Sequence, residues 1–211
     1  MSSGTRDEWR PLRWPWSSEA ADALAGWLTG DRSAPVAADD LDFRGADLSG
    51  GPFGGSSFRH ANLADVAARG VELWRANCEG ARFIRAVLTD ADFVKACLHR
   101  ASFVRAVLIG ADLTRVEGLD VRFVEADLRR ADLTDAMLVG CDFTRANLSG
   151  ARVDKTVLEN SAVAGAVVTG MTGTVFGPVV PAPGHSLDGA ELEHWFAARG
   201  ARVSVLRPAY S

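Results

Sequence analysis

The chain has 211 residues, 47% of them hydrophobic, and a formal net charge of −4. That length fits one domain with short flanks, and the slightly acidic balance argues against direct nucleic-acid binding and supplies no polybasic membrane patch. The first residues lack the apolar core of a secretory signal, and the three cysteines, Cys78, Cys97 and Cys141, match no disulfide framework or zinc spacing. Free thiols fit a reducing setting, so a cytoplasmic location is expected.

Residues 1–40 hold Trp9, Trp14, Trp16 and Trp27, four of the six tryptophans. Ser17 or Ser18 can cap a helix running to about Leu28, with Gly30 as its stop. Ala20, Leu24, Trp27 and Leu28 fall on one face of that helix. Two readings follow: a cap over whatever comes next, or a Trp-rich docking site.

From Phe43 to Val168 every fifth residue is a repeat centre, twenty-six in all: eight Phe, twelve Leu, three Val, and Ala68, Cys78 and Gly118. Two residues before nearly every centre stands a small residue, Ala in sixteen cases. A period of five fits neither a helix nor a flat strand. It marks a solenoid, whose units bury their apolar residue only by stacking on one another. A second period is visible in Phe83, Phe103, Phe123 and Phe143, and in Leu88, Leu108, Leu128 and Leu148. Like residues every twenty predict four units per coil, about 6.5 coils over residues 41–170 and a rod about 30 Å long. Gly50 to Ser57, around Pro52, reads as a corner or a loosened first coil. Ala68 underfills its layer and Gly118 leaves its centre empty. Cys78 and Cys141 should point inward and Cys97 outward.

Residues 171–211 leave the repeat. Pro178, Pro181 and Pro183 read as a linker. Asp188 and Glu191 have capping-box spacing, and a short helix with Leu192, Trp195, Phe196 and Arg199 should stop at Gly200. Ala201 to Leu206 reads as a strand. The stretch from Asn160 to Leu187 carries no charge apart from His185. Its five Gly and three Pro oppose a membrane span and favour the last coil plus a cap. The apolar outward positions of that coil admit two roles, cap and homodimer interface. The residues expected at such an interface are Val163, Val168, Leu192, Trp195 and Phe196.

The repeat resembles that of the pentapeptide-repeat family: a small residue, Asp or Asn, Leu or Phe, then Ser, Thr or Arg, then any residue, often Gly. Ala46-Asp47-Leu48-Ser49-Gly50, Ala111-Asp112-Leu113-Thr114-Arg115 and Ala146-Asn147-Leu148-Ser149-Gly150 follow it closely. The resemblance implies an all-β solenoid, a right-handed quadrilateral β-helix, here with short helical caps at both ends. It further implies a function found among such proteins, protection of DNA gyrase and related type II topoisomerases from inhibitors. Many such members resemble duplex DNA in width and negative charge and dimerise through their C-termini. Fold alone does not fix that function.

No catalytic constellation, metal site or cofactor motif stands out. His60, His99, His185 and His194 lack nucleophile or carboxylate partners at a recognised spacing, and no Gly-rich phosphate loop occurs. What remains is surface. Four units per coil would stack Glu72, Asp92, Asp112 and Asp132 as an acidic column, the candidate partner-binding residues, with Arg75, Lys95 and Arg115 beside them. Residues 41–170 hold 17 acidic and 16 basic side chains, so the rod as a whole is nearly neutral, unlike a DNA mimic. Ile84, Val104 and Val124 form one outward apolar column, and Val87 and Val107 another. Two functions of different class follow: a topoisomerase-protecting protein, and a non-enzymatic scaffold for an unrelated protein partner.

Overall fold

The computed structural model describes residues 8–30 and 34–206. Its organising element is a backbone ladder in which each outward residue bridges the residue twenty positions on. One column runs Asp42, Asn62, Arg82, Ser102, Arg122, Asp142 and Ala162, every step a parallel bridge. Each turn therefore takes four five-residue units, and the chain forms a β-helix solenoid. The N–H of a repeat centre donates to the carbonyl nineteen residues ahead, as in Phe103 to Arg122 O (2.7 Å), and the residue before the centre donates backward, as in Ser102 to Ala81 O (2.9 Å).

Between bridges the chain turns a corner within four residues. The Ala106 N–H closes one such turn on the Phe103 carbonyl at 3.0 Å, with Arg105 at φ 59°. Among the described residues seventeen non-glycine residues share that left-handed conformation, all at the last place of the repeat. The conformation costs a non-glycine residue on the order of 1–2 kcal/mol. The ladder holds it in place, because relaxing one corner would break the bridges on both sides. Glycine at this place is therefore favourable but dispensable.

The first and third residues of each five-residue unit point inward and are sealed, and nearly all of them are apolar. Phe83, Phe103, Phe123 and Phe143 stack face to face, with centroids 4.8, 5.2 and 4.9 Å apart in succession. Those separations match the rung spacing of a β ladder. Small residues such as Ala101 and Ala106 lie fully buried beside the rings. Cys78 and Cys141 are buried and Cys97 half-buried, all as free thiols. Burial drives the Cys78 thiol pKa far up and pushes that of Cys141 up to about 12. Gly118 does not leave a void. A Cβ placed there would lie 2.8 Å from Leu138 Cδ2 and 2.7 Å from Val121 Cγ2, so the neighbouring side chains already occupy the space.

Helix α1, Ser18–Thr29, covers the first coil. Ser17 caps it by accepting from the Ala20 N–H, and Ala20, Leu24 and Leu28 form its buried face. Trp9 and Trp27 close on Phe53 with centroids 5.1 and 5.6 Å away. Ahead of the helix, the Leu12 and Trp16 N–H groups donate to the Asp47 and Arg44 carbonyls, so this segment runs along the side of the rod. Trp16 lies over Gly45, where any Cβ would collide with the indole.

Longer pairings appear toward the far end: β1 (Glu117–Leu119), β2 (Met137–Val139), β3 (Thr156–Val157), β4 (Ser161–Ala162), β5 (Thr172–Phe176), β6 (Val179–Ala182) and β7 (His185–Leu187). Helix α2 (Gly189–Ala197) and β8 (Arg202–Leu206) follow. Strand β8 pairs in parallel with β5 and extends the sheet β1-β2-β3-β5-β8. The proline-bearing segment expected as a linker is instead β6 and β7, an antiparallel hairpin standing on β4. Pro181 falls where the β6–β7 register shifts, a place where a missing N–H is tolerated.

Burying one aromatic ring of the stack is worth about 1.5–3 kcal/mol, and truncating it costs ~3–5. Arg105 is an exposed partner of Glu125 at 2.7 Å, a pairing worth about 1 kcal/mol at most. Phe103→Ala is therefore expected to lower the urea midpoint several times more than Arg105→Ala. Equal losses would place the inward register elsewhere.

Candidate functional site

The ladder brings the acidic column together as the spacing predicts. Pro52, Glu72, Asp92, Asp112, Asp132 and Arg152 bridge one another in sequence. At about 4.8 Å per rung the four carboxylate-bearing residues extend along about 14 Å of one face. Three of them also build the corner that follows. Asp92 Oδ1 accepts from the Val94 N–H, Asp112 Oδ1 from Thr114 N–H and Asp132 Oδ1 from Thr134 N–H, each at 2.9 Å. Such a bond from a short side chain to a backbone two residues on is a local turn device. Glu72 makes no such bond. At the far end Asp132 meets Arg152 at 3.8 Å.

Most other charges on the rod form opposite-sign rungs or local pairs. Asp65 pairs with Arg85 at 2.6 Å, and Glu125 is held between Arg105 at 2.7 Å and Arg145 at 3.5 Å. Arg115 pairs upward with Asp135 at 3.3 Å. Arginine hydrogen bonds draw the carboxyls of Asp65, Glu125, Asp42 and Asp127 below their ordinary range. The acidic column is thus a same-sign run, as is the corner column Arg75, Lys95 and Arg115 beside it, in a surface where many other rungs pair opposite charges.

Ile84, Val104, Val124, Val87 and Val107 are all half-buried between their neighbours along the columns. The more exposed apolar side chains are others: Leu12, Trp14 and Trp16 near the start, and Leu119, Met137 and Val167 on the rod. Trp16 is 75% exposed and Leu12 78%. The alternation of residues 12, 14 and 16 was the available sequence signal for the first group.

At the C-terminal end most of the residues expected at an interface lie inside the single chain. Val163, Val168, Leu192 and Phe196 are buried within the single chain. Helix α2 folds back over its own last coil, and Phe196 helps close a cavity of about 10 Å³ lined also by Phe143, Leu158 and Met171. Such a space holds about one water at most. Of the five residues only Trp195 keeps open surface, with the Arg199 guanidinium 4.2 Å above its ring. A groove beside it runs between His185 and His194. The outer edge of β8 is partly blunted, because the Val205 N–H donates to Glu193 Oε1 at 2.8 Å.

Among the described residues no group of three or more metal-binding side chains converges, and no helix is long and apolar enough to cross a membrane.

Comparison with solved structures finds full-length QnrB1, a plasmid-mediated fluoroquinolone resistance protein, at 18% identity over 78% of this chain and 90% of that one, with a TM-score of 0.41. HetL, a pentapeptide-repeat protein involved in heterocyst differentiation regulation in the cyanobacterium Nostoc sp. strain PCC 7120, matches at 22% identity over 70% and 90%, TM-score 0.21. A pentapeptide-repeat protein of the Arabidopsis thaliana thylakoid lumen matches at 31% identity over 59% and 63%, TM-score 0.16. No curated protein matches the sequence. The model of pentapeptide repeats matches in eight copies, over residues 39–75, 69–103, 98–135 and 122–160. These matches cover more than half of the chain and coincide with the ladder, so the protein belongs to the pentapeptide-repeat family.

Proposed function

We propose that this protein is a non-enzymatic binding rod that engages a type II topoisomerase such as DNA gyrase and protects it from inhibitors. The observation that carries this reading is the line formed by Glu72, Asp92, Asp112 and Asp132 on one face. Their spacing, about 4.8 Å per rung, approaches that of phosphates along one DNA strand, about 3.4 Å of axis each. A groove built to hold DNA would accept such a line without the rod as a whole being acidic. In this reading the coil is right-handed and four-sided, as four corners per turn support, and the protein works in the cytoplasm.

A second reading, a scaffold for an unrelated protein, is favoured by the near-neutral rod and by exposed Leu119 and Met137. The two separate in one assay. Purified protein should restore supercoiling by gyrase in the presence of a quinolone, or reduce drug-stabilised cleavage. Charge reversal of the column is a poor control, because Asp→Lys also removes the corner hydrogen bonds, each worth ~1 kcal/mol. The variant Glu72→Gln/Asp92→Asn/Asp112→Asn/Asp132→Asn keeps an acceptor at every corner while removing four charges. It should melt close to wild type and lose at least tenfold in protective potency. No effect of the wild-type protein at any concentration would leave the scaffold reading standing.

The proposal includes pairing of two copies through the C-terminal end. With four of the expected residues committed to the chain's own cap, the contact would centre on Trp195 and the adjoining groove. Light scattering at micromolar concentration is expected to give a dimer that Trp195→Asp converts to monomer. A monomeric wild type removes the dimer, and a dimer indifferent to Trp195→Asp places the contact elsewhere.

A further inference from the structure

One face of the rod carries a different grouping from the acidic line. Ser102 bridges Arg82 on one side and Arg122 on the other, so the three side chains leave the ladder in parallel. The two arginines sit on neighbouring rungs to Ser102, about 10 Å from each other across it. Arg100 lies at the corner two residues before Ser102 and is exposed, as are Arg82 and Arg122. Among the described residues, the guanidinium groups of Arg82, Arg100 and Arg122 make no hydrogen bond or close ion pair. Ser102 itself is only 8% exposed, and its Oγ is the one buried side-chain oxygen or nitrogen among the described residues without a hydrogen-bond partner.

This combination is costly as it stands. An unsatisfied buried hydroxyl costs about 1–3 kcal/mol. The two cations flanking it also repel each other, although Arg122 has Asp142 on its far side. Elsewhere on the rod the same rung spacing places arginine beside a carboxylate, as in Asp65–Arg85 and Arg105–Glu125. Here the middle rung offers a hydroxyl instead. None of the carboxylates around the group forms a close ion pair with these arginines. Asp42, two rungs below Arg82, is held by Arg44 at 2.7 Å, although Arg82 also acts on it at longer range. Asp142, the rung beyond Arg122, accepts from the Thr144 N–H at 2.9 Å. Asp120 occupies the corner one rung from Arg100, and the two make no close ion pair.

We propose that Arg82, Ser102 and Arg122, with Arg100 at the adjoining corner, form a binding site for a phosphate group. Guanidinium forks match phosphate oxygens two at a time. The hydroxyl, at the floor between them, supplies a donor that no protein acceptor uses. Donors on both sides and below exceed what the two oxygens of a carboxylate can accept and suit a tetrahedral anion. The open face leaves one oxygen of the anion free, so a phosphate monoester fits as well as the free ion. Binding requires only that the two flexible arginine side chains part over Ser102. This site is separate from the acidic column, and its fate does not depend on the topoisomerase reading.

The test is titration of the whole chain with inorganic phosphate and, separately, with phosphoserine. Ionic strength is held constant with sodium chloride, and binding is read by calorimetry and by phosphorus NMR line width. Saturable one-to-one binding is expected. Arg82→Gln and Arg122→Gln should each weaken it at least tenfold, and Ser102→Ala severalfold. Arg75→Gln, which removes an unpaired cation on another corner, should leave it unchanged. Ser102→Ala should fold at least as well as wild type, since it removes an orphaned hydroxyl, so its effect on binding is read on an intact rod. Tighter binding of phosphoserine assigns the site to a phosphorylated partner, and tighter binding of the free ion assigns it to a small anion. Lack of saturation, or equal losses in Arg75→Gln and Arg122→Gln, overturns the proposal.

Discussion

The rest of the structure depends on one constraint, the backbone ladder that joins each residue to the one twenty positions away. It fixes four corners per turn and decides which side chains enter the core. It also holds seventeen non-glycine residues, among those described, in a left-handed conformation that they would otherwise avoid. Each corner is individually unfavourable for Arg, Lys, Asp or Glu. Two bridges and a sealed Leu or Phe on either side offset it. The same coupling explains why a glycine at the last repeat place can be exchanged for arginine along one column, as Gly45, Asp65, Arg85 and Arg105 illustrate.

Because the ladder is strictly periodic, the core was readable from the sequence. The centres from Phe43 to Val168 needed only counting, and every stacked phenylalanine from Phe83 to Phe143 was visible in a register of twenty. The helices were legible through Ser17 and Gly30 at one end and Asp188 at the other. Departures arose where contact across coils overrode local composition. Gly118 looked like a gap, yet Leu138 and Val121 already fill the space. Pro178, Pro181 and Pro183 looked like a linker, but a register shift lets Pro181 sit in β6 without a lost ladder bond. Gly50 to Ser57 read as a corner or a loosened first coil, and within it Gly54 makes room for the Trp74 ring, which a Cβ there would strike.

The candidate surfaces were legible only in part. Stacking of Glu72 to Asp132 followed from the period. The corner bonds of Asp92, Asp112 and Asp132 required coordinates. So did the loss of Val163, Val168, Leu192 and Phe196 to the chain's own cap. Their apolar character was evident, but an amphipathic helix reads the same whether it covers its own coil or a second copy. Orphaned Ser102 Oγ was equally invisible, since an outward serine on a solenoid is ordinarily solvated and gains notice only when its neighbours enclose it.

Charge placement separates structural from functional reasons more sharply than charge count. Unit charges one rung apart in water repel by about 0.9 kcal/mol before screening, and at physiological salt the screening length is about 8 Å. Opposite-sign rungs such as Arg105–Glu125 turn that penalty into a small gain. The acidic line forgoes it. For Asp92, Asp112 and Asp132 the corner hydrogen bond, worth ~1 kcal/mol, is a sufficient structural return. Glu72 has no corner bond and still stands one rung from Asp92. A glutamate there is unexplained by folding, so the binding reading leans on Glu72 more than on the three aspartates. It is also the position at which charge can be removed with the least consequence for the coil.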